Sequence, residues 1–262
     1  MYYYVYDTFL SDKKYEKVLD KIKVTLLDLD IQGKHERLTL LKSIDELIKD
    51  EVKRGINTIV ILGNDKTLLR VIDTVGRHNI TLGMIPIGPD NSIAECLGIP
   101  TEEAACEIIA ARKIVQLDLG KANDQYFLSS LKVDKNINRV SIHKDNYRIV
   151  PQPNCVEFDI YNLYYPEGVE NYEKQMKKFS PQDDKLELVI RKNETKKTWF
   201  KKKTGINPID SIIQSKLFKI KSFEYLPVVL DGYKVIKTPV IVELAPCKLK
   251  MIVGKDRLKY IQ

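Results

Sequence analysis

NTIVILGNDKTLLRVIDTVGRHNITLGMIPIGPDNSIAECLG, residues 57–98, is the stretch that decides the fold. Its first run, NTIVIL (57–62), is nearly all apolar and β-branched, the composition of a strand buried on both faces as parallel strands are. A turn, GNDKT, comes next, and TLLRVIDTVGRH then sets Leu68, Leu69, Ile72 and Val75 on one helical stripe. TLGMIPI (81–87) repeats the strand signal, ends in the turn GPDN, and leads into a short helix, SIAECLG. Strand, helix, strand and helix with short connections predict a doubly wound parallel sheet, in which ligands bind beyond the carboxyl ends of the strands. Both unusual turns, 63–67 and 88–91, lie at such ends.

Towards the N-terminus the alternation continues. YYYVYD (2–7) has strand composition, and Ser11 or Asp12 caps a helix through Tyr15, Val18, Leu19 and Ile22. HERLTL (35–40) reads as a strand and SIDELIKDEVKRG (43–55) as a helix, with Ser43 and Glu46 as a capping box and Gly55 as its stop. From about Lys121 the pattern changes to short alternating runs, among them QYFLSSLKV, CVEFDIYNLYY, KLELVIRK, PVVLDGYKV and KLKMIVG, with one helix between them, GINPIDSIIQSK. The expected fold class is an α/β N-terminal domain with a parallel doubly wound sheet over residues 1–122. A mainly antiparallel β, sandwich-like domain over residues 123–262 completes it.

A chain of 262 residues, 44% hydrophobic and 30% charged, can bury a core without disulfide staples. The cysteines Cys96, Cys106, Cys155 and Cys247 form no C-x-x-C pair and have no histidine at ligand spacing, which argues against a zinc site. With no signal-like segment after Met1 and no apolar run near the roughly 20 residues of a bilayer span, a cytoplasmic protein is expected, any membrane contact being peripheral. The balance of 43 Lys+Arg to 36 Asp+Glu, +7 overall, favours anionic partners without choosing among them, and simple solubility explains it equally well.

A turn between a buried strand and a helix presents free N–H groups and the positive helix end, so Gly63–Thr67 is a candidate phosphate cradle on geometry alone. Here the sequence resembles a known family. ILGNDKTLLRVIDTV, LGMIPIGPDNSIAECLGIP and LDLGKANDQYFLSSL are similar, in order and spacing, to the G-G-D-G-T, I-P-x-G-T-G-N-D-x-A and D-x-G-x-x-N-x-x-Y-F signatures of the diacylglycerol kinase catalytic domain. Bacterial lipid kinases, sphingosine kinases and ceramide kinases share that domain. The likeness continues more weakly through Asn162 in YNLYYPEG, PQDDKLELVI, and PVVLDGYKV with TPVIVELAPCKLKMIV.

The resemblance implies an ATP-dependent kinase acting on a lipid or small hydroxyl acceptor, with the nucleotide in the cleft between the domains. It assigns Asp65 and Asp231 to catalysis, and Gly63, Asn64, Lys66, Thr67, Gly88 and Asn91 to the nucleotide. Asp184 in the PQDD turn corresponds to an acid that helps hold magnesium in bacterial relatives. Each has a plainer reading: Asp65 as a cap bonding the N–H of Thr67 or Leu68, Asp231 as a hairpin turn residue, and Asp184 as a turn residue.

Departures fall on the same signatures. Asn64 and Lys66 replace glycines, which is costly if the backbone needs positive φ, and Lys66 either serves the phosphates as a point cation or blocks them. Asp90 brings a carboxylate where phosphate oxygens are expected, the N-P-x-S-G element is replaced by YDTFLSD, and Tyr233 replaces the acid of the D-G-E loop. The segment between Leu131 and Val156 is short for a lipid pocket, which keeps a soluble acceptor in view. A rival reading is a catalytically inactive descendant that binds a nucleotide, a lipid or a protein.

Between Lys196 and Lys203 the run KKTWFKKK sets Trp199 and Phe200 among five lysines, the composition of an anchor for an anionic membrane surface. A solvated hairpin tip is the plainer reading, and nucleic-acid binding ranks below both. Nothing in the sequence indicates an oligomeric state.

Overall fold

The computed structural model describes residues 1–38, 44–133, 135–164, 179–192, 209–257 and 261. Ser43 and the lysine run 196–203 lie outside these described residues, so the capping box and the anchor expected there have no structural counterpart to report.

The described chain divides into two compact units, one from Met1–Leu117 and Cys247–Gln262, the other from residues between 118 and 246. In the first, β1 (Tyr2–Tyr6), α1 (Glu16–Asp28), β2 (Gly33–Arg37), α2 (Ile44–Lys53), β3 (Thr58–Gly63), α3 (Asp65–Val75), β4 (Thr81–Pro86), α4 (Ser92–Cys96), α5 (Ala104–Ala111) and β5 (Ile114–Leu117) follow in order. Before α1, two short 3-10 turns cover Thr8–Ser11 and Lys13–Tyr15, the second held by the Asp12 carboxylate accepting from Lys14 N. The helix expected to begin at Ser11 or Asp12 therefore becomes α-helical only at Glu16.

All six residues of β3 and of β4 are buried, as their unbroken apolar runs dictate, and the two strands pair in parallel with Thr58 opposite Thr81. β1 lies on the other side of β3, also parallel, and β2 lies beyond β1. The strand order 2-1-3-4 reverses direction between β1 and β3, so the crevice past their carboxyl ends is the switch point of the sheet. That point receives Asp7 from β1 and the Gly63 turn from β3.

KLKMIVG, read as part of the second domain, returns to this sheet. It forms β18 (Leu249–Ile252), parallel to β4 and antiparallel to β5, so the strand order ends β4-β18-β5. Its Met251 and Ile252 are fully buried. An alternating run does not specify its partners, and here the vacant edge of β4 takes it.

The second unit contains β6 (Gly120–Ala122), β7 (Gln125–Phe127), β8 (Ser130–Val133), β9 (Val140–Lys144), β10 (Tyr147–Ile149), β11 (Cys155–Tyr161), β12 (Leu186–Lys192), β13 (Ile209–Ser215), β14 (Leu217–Ser222), β15 (Pro227–Leu230), β16 (Lys234–Lys237) and β17 (Val240–Leu244). They make two antiparallel sheets, ordered 10-9-14-17-6-7 and 13-12-11-8-15-16. Phe127, Ile142, Phe218 and Val242 of one sheet and Leu131, Phe158, Leu188 and Val228 of the other share a single core, a β-sandwich.

Two expectations are corrected here. QYFLSSLKV is not one strand: β7 belongs to one sheet and β8 to the other, and the chain crosses at Leu128–Ser129. The predicted helix GINPIDSIIQSK is instead β13 over its described part, pairing with β12 from Leu186 opposite Ser215 to Arg191 opposite Ile209. Ile209, Ile212 and Ile213 fit helical spacing, but β-branched residues beside a strand with unpaired amides gain more from the ladder.

Because β18 bridges β4 and β5, Met251→Asp should lower unfolding free energy in urea by more than about 3 kcal/mol through an unpaired buried charge. Ile241→Asp, on the exposed face of β17, should change it by less than about 0.5 kcal/mol.

Candidate functional site

The turn after β3 is held by its own side chains. Asn64 sits in extended backbone, φ −117° and ψ −175°, and its side chain accepts from Thr67 N while the Thr67 hydroxyl accepts from Asn64 N, a complete capping box for α3. The concern that a non-glycine here costs a positive φ therefore does not arise. Gly63 is required for a different reason: a Cβ on it would lie 2.5 Å from Thr67 Oγ1 and 3.2 Å from the Asp7 Cβ.

Thr67 is fully buried and donates its hydroxyl to Asp7 Oδ2 at 2.6 Å, joining the end of β1 to the first turn of α3. Asp7 also accepts from Phe9 N and lies 4.0 Å from an Arg70 guanidinium nitrogen. Asp7 thus ties the end of β1 to α3. Its sequence signal was only its place after a strand.

Asp65 does not cap its own helix, which Asn64 does. Its carboxylate reaches across to α4, accepting from Ile93 N at 2.7 Å and Ala94 N at 3.3 Å, with the Ser92 backbone also bonded. Its own N–H donates to the Asp90 carbonyl at 3.0 Å, so one residue ties the two turns together. Burial pushes the Asp65 carboxyl up to about 6, against the pull of those amides.

Lys66 points to solvent and pairs with Asp90, Nζ to Oδ2 at 3.2 Å, both side chains being more than half exposed. Such a pair adds little stability, but it offsets the Asp90 charge at the mouth of the turns. Gly88 has φ +82°, and the place of a Cβ is flanked by Tyr15 Oη at 3.2 Å and the Phe9 ring at 3.3 Å. Asn91 donates from Nδ2 to the Gly88 carbonyl at 2.7 Å, while its buried Oδ1 has no partner among the described residues. Gly63, Asn64, Asp65, Lys66, Thr67, Gly88 and Asn91 are thus gathered at the carboxyl ends of β3 and β4.

Asp231 and Asp184 belong to the second unit. Asp231, at φ +47° in the turn between β15 and β16, accepts from Ser129 N (2.8 Å) and Ser130 N (3.0 Å) on Oδ1 and from Leu128 N (3.0 Å) on Oδ2. These are the amides that leave one sheet for the other at the β7–β8 crossing and have no ladder partner there. Burial raises this carboxyl also to about 6.

Asn162, fully buried, bonds the carbonyls of Leu128 and Asp118 from Nδ2 at 2.8 and 2.7 Å. Asp118, buried and missed in the sequence reading, accepts from Asp184 N at 2.9 Å. Asp184 sits at φ +56°, a left-handed turn position. Among the described residues no three His, Cys, Asp or Glu side chains cluster for a metal. A carboxylate and turn carbonyls are a donor set that suits magnesium retaining several waters, and not an all-protein cage.

The first unit gathers its turns at a sheet switch point, and the second is a β-sandwich whose crossing is held by Asp231. Residues 5–122 match the model of the diacylglycerol kinase catalytic domain. A protein of Staphylococcus carnosus named "Putative lipid kinase" is 23% identical over 264 residues, 86% of each chain. The Bacillus subtilis protein named diacylglycerol kinase is 32% identical over 85 residues, 31% of this chain and 28% of its own length. The crystal structure of a diacylglycerol kinase from Bacillus anthracis superposes with a TM-score of 0.78 at 20% identity, covering 98% of both chains, a likeness of fold. Among the described residues no helix is long and apolar enough to cross a membrane.

Thr67→Val keeps the volume and deletes the hydroxyl, leaving Asp7 Oδ2 and Asn64 N each short of a partner. Stability should fall by about 2–3 kcal/mol in a denaturant titration. Asp65, Asp231 and Glu187 are all raised by burial, to about 6, 6 and 8. Between the ordinary carboxylate range and these values the folded chain binds more protons than the unfolded one, so stability rises as pH falls. The melting temperature should be higher near pH 5.5 than near pH 8, and a lower one at the acid value would contradict the burial of these groups.

Proposed function

We propose that this protein is a divergent ATP-dependent kinase of the diacylglycerol kinase type, transferring phosphate to a lipid or a small hydroxyl acceptor. In this reading the nucleotide lies against the turns at 63–67 and 88–91. The observation that carries the proposal is the bonded frame around Asp65. That carboxylate and the Asp65–Asp90 backbone bond keep both turns of the phosphate signatures in register despite the lost glycines. Lys66, already neutralising Asp90, supplies a point charge beside the phosphates, and the unpartnered Asn91 Oδ1 offers an acceptor to the ribose or a bound water.

Phosphoryl transfer needs positioned phosphates, a cation and a carboxylate to take the acceptor proton. The bond from the γ-phosphorus to the ADP oxygen breaks, a bond to the acceptor oxygen forms, and the hydroxyl proton passes to a carboxylate. Asp231 suits that last role, since its Oδ2 accepts only one amide and its pKa of about 6 lies near working pH. Asp65 acts by holding the turns. Magnesium, when bound, would screen phosphate charge, and Asp184 with turn carbonyls is the set that would hold one structural ion.

One observation favours the second reading, a nucleotide-, lipid- or protein-binding module without catalysis: each proposed catalytic carboxylate is engaged by three backbone amides, and Tyr233 stands where the family has an acid. Calorimetry with ATP and magnesium, together with transfer of labelled phosphate to diacylglycerol, separates the two. The kinase reading expects ATP binding, and turnover reduced about 100-fold or more in Asp231→Asn that still melts cooperatively. ATP binding with no turnover in the natural chain would select the module, and absence of ATP binding would remove the kinase.

A further inference from the structure

The outward face of the sandwich sheet 10-9-14-17-6-7 carries a surface the kinase reading does not use. Arg148 of β10 lies opposite His143 of β9, His143 lies opposite Lys219 of β14, and Lys221 lies opposite Ser141. Strand alternation turns these side chains away from the core that Ile142, Phe218 and Ile220 fill. Arg148, Lys219 and Lys221 are exposed. The strands of this sheet carry one carboxylate, Glu243, which pairs with Lys121, and Glu224 in the loop after β14 pairs with Arg139 at 2.7 Å. Among the described residues, no ion pair engages Arg148, Lys219 or Lys221.

An open groove of about 610 Å³ runs between Ser141, His143, Arg148 and Lys221, and its rim holds Val150 and Phe223. Phe223 is fully exposed, Tyr225 beside it is 79% exposed, and Val150 is about half exposed. Apolar side chains this exposed, clustered at the edge of a cationic face, are arranged to enter another medium. We propose that this face docks the protein on an anionic membrane surface, with Arg148, Lys219 and Lys221 meeting lipid phosphates and Phe223 and Val150 entering the headgroup layer. A nucleic acid would use the cations but would gain nothing from Val150, which has no ring to stack on a base. Docking requires neither ATP nor transfer, so it stands or falls apart from the kinase reading.

The test is co-sedimentation of the full chain with phosphatidylcholine vesicles, with and without roughly one-third phosphatidylglycerol. Binding should require the anionic lipid, weaken with salt, and fall about 100-fold in a variant carrying Arg148→Glu, Lys219→Glu and Lys221→Glu. Phe223→Ser should weaken it about tenfold with the salt dependence unchanged. All four positions are exposed, so the melting temperature should stay constant, and a calorimetric ATP titration reports separately on the nucleotide site. The proposal is overturned if the triple variant sediments like the natural chain, if only Lys201→Glu, Lys202→Glu and Lys203→Glu abolish binding, or if a single-stranded oligonucleotide binds more tightly than the vesicles.

Discussion

The hydroxyl of Thr67 donates to Asp7 at 2.6 Å with no water-accessible surface on the threonine, and the turns of the first unit are built around that bond. A parallel strand that ends at a sheet switch point leaves amides facing a crevice, and those amides need acceptors wherever water is excluded. Asp7 serves the end of β1, Asn64 the start of α3, and Asp65 the start of α4. Asp231 applies the same solution in the second unit, where the backbone crosses between sheets. Buried carboxylates are therefore the structural joints of this protein, and at Asp65 and Asp231 a raised pKa is the cost of that placement.

This arrangement explains how a turn that resembles the diacylglycerol kinase signature holds its shape with Asn64 and Lys66 where that signature has glycines. Asn64 is an N-cap in extended backbone, Lys66 is a solvent-facing helical residue, and only Gly63 and Gly88 are constrained by contact or by φ. The same arrangement narrows the chemistry. The Asp65 carboxylate, engaged by three amides and tying two turns together, positions its surroundings more readily than it accepts a proton. The cationic face of the sandwich is independent of this question, because its groups are on the opposite side of the sheet from the core and outside both sets of turns.

Residues 57–98 were legible because their information is local: β3 and β4 are unbroken apolar runs, and α3 begins with a cap and a periodic stripe. The gathering of Gly63 through Thr67 with Gly88 and Asn91 followed from strand order alone. Asp118 heads the LDLGKANDQYFLSSL stretch and Asp7 lies in YDTFLSD after the first strand, but nothing near either in sequence marks its partner. Thr67 lies 60 residues from Asp7, and Asp184 lies 66 from Asp118.

What the sequence by itself determined is the alternation of strands and helices in the first unit, the position of its turns and the β character of the second. Only the tertiary structure decided that 249–252 completes the first sheet, that 209–215 is a strand, and that Asp231 holds the 128–130 crossing. The physical reason is that each of these depends on an acceptor or a vacant sheet edge supplied from far along the chain. An alternating apolar pattern says which side of a strand is buried but not which neighbour it joins.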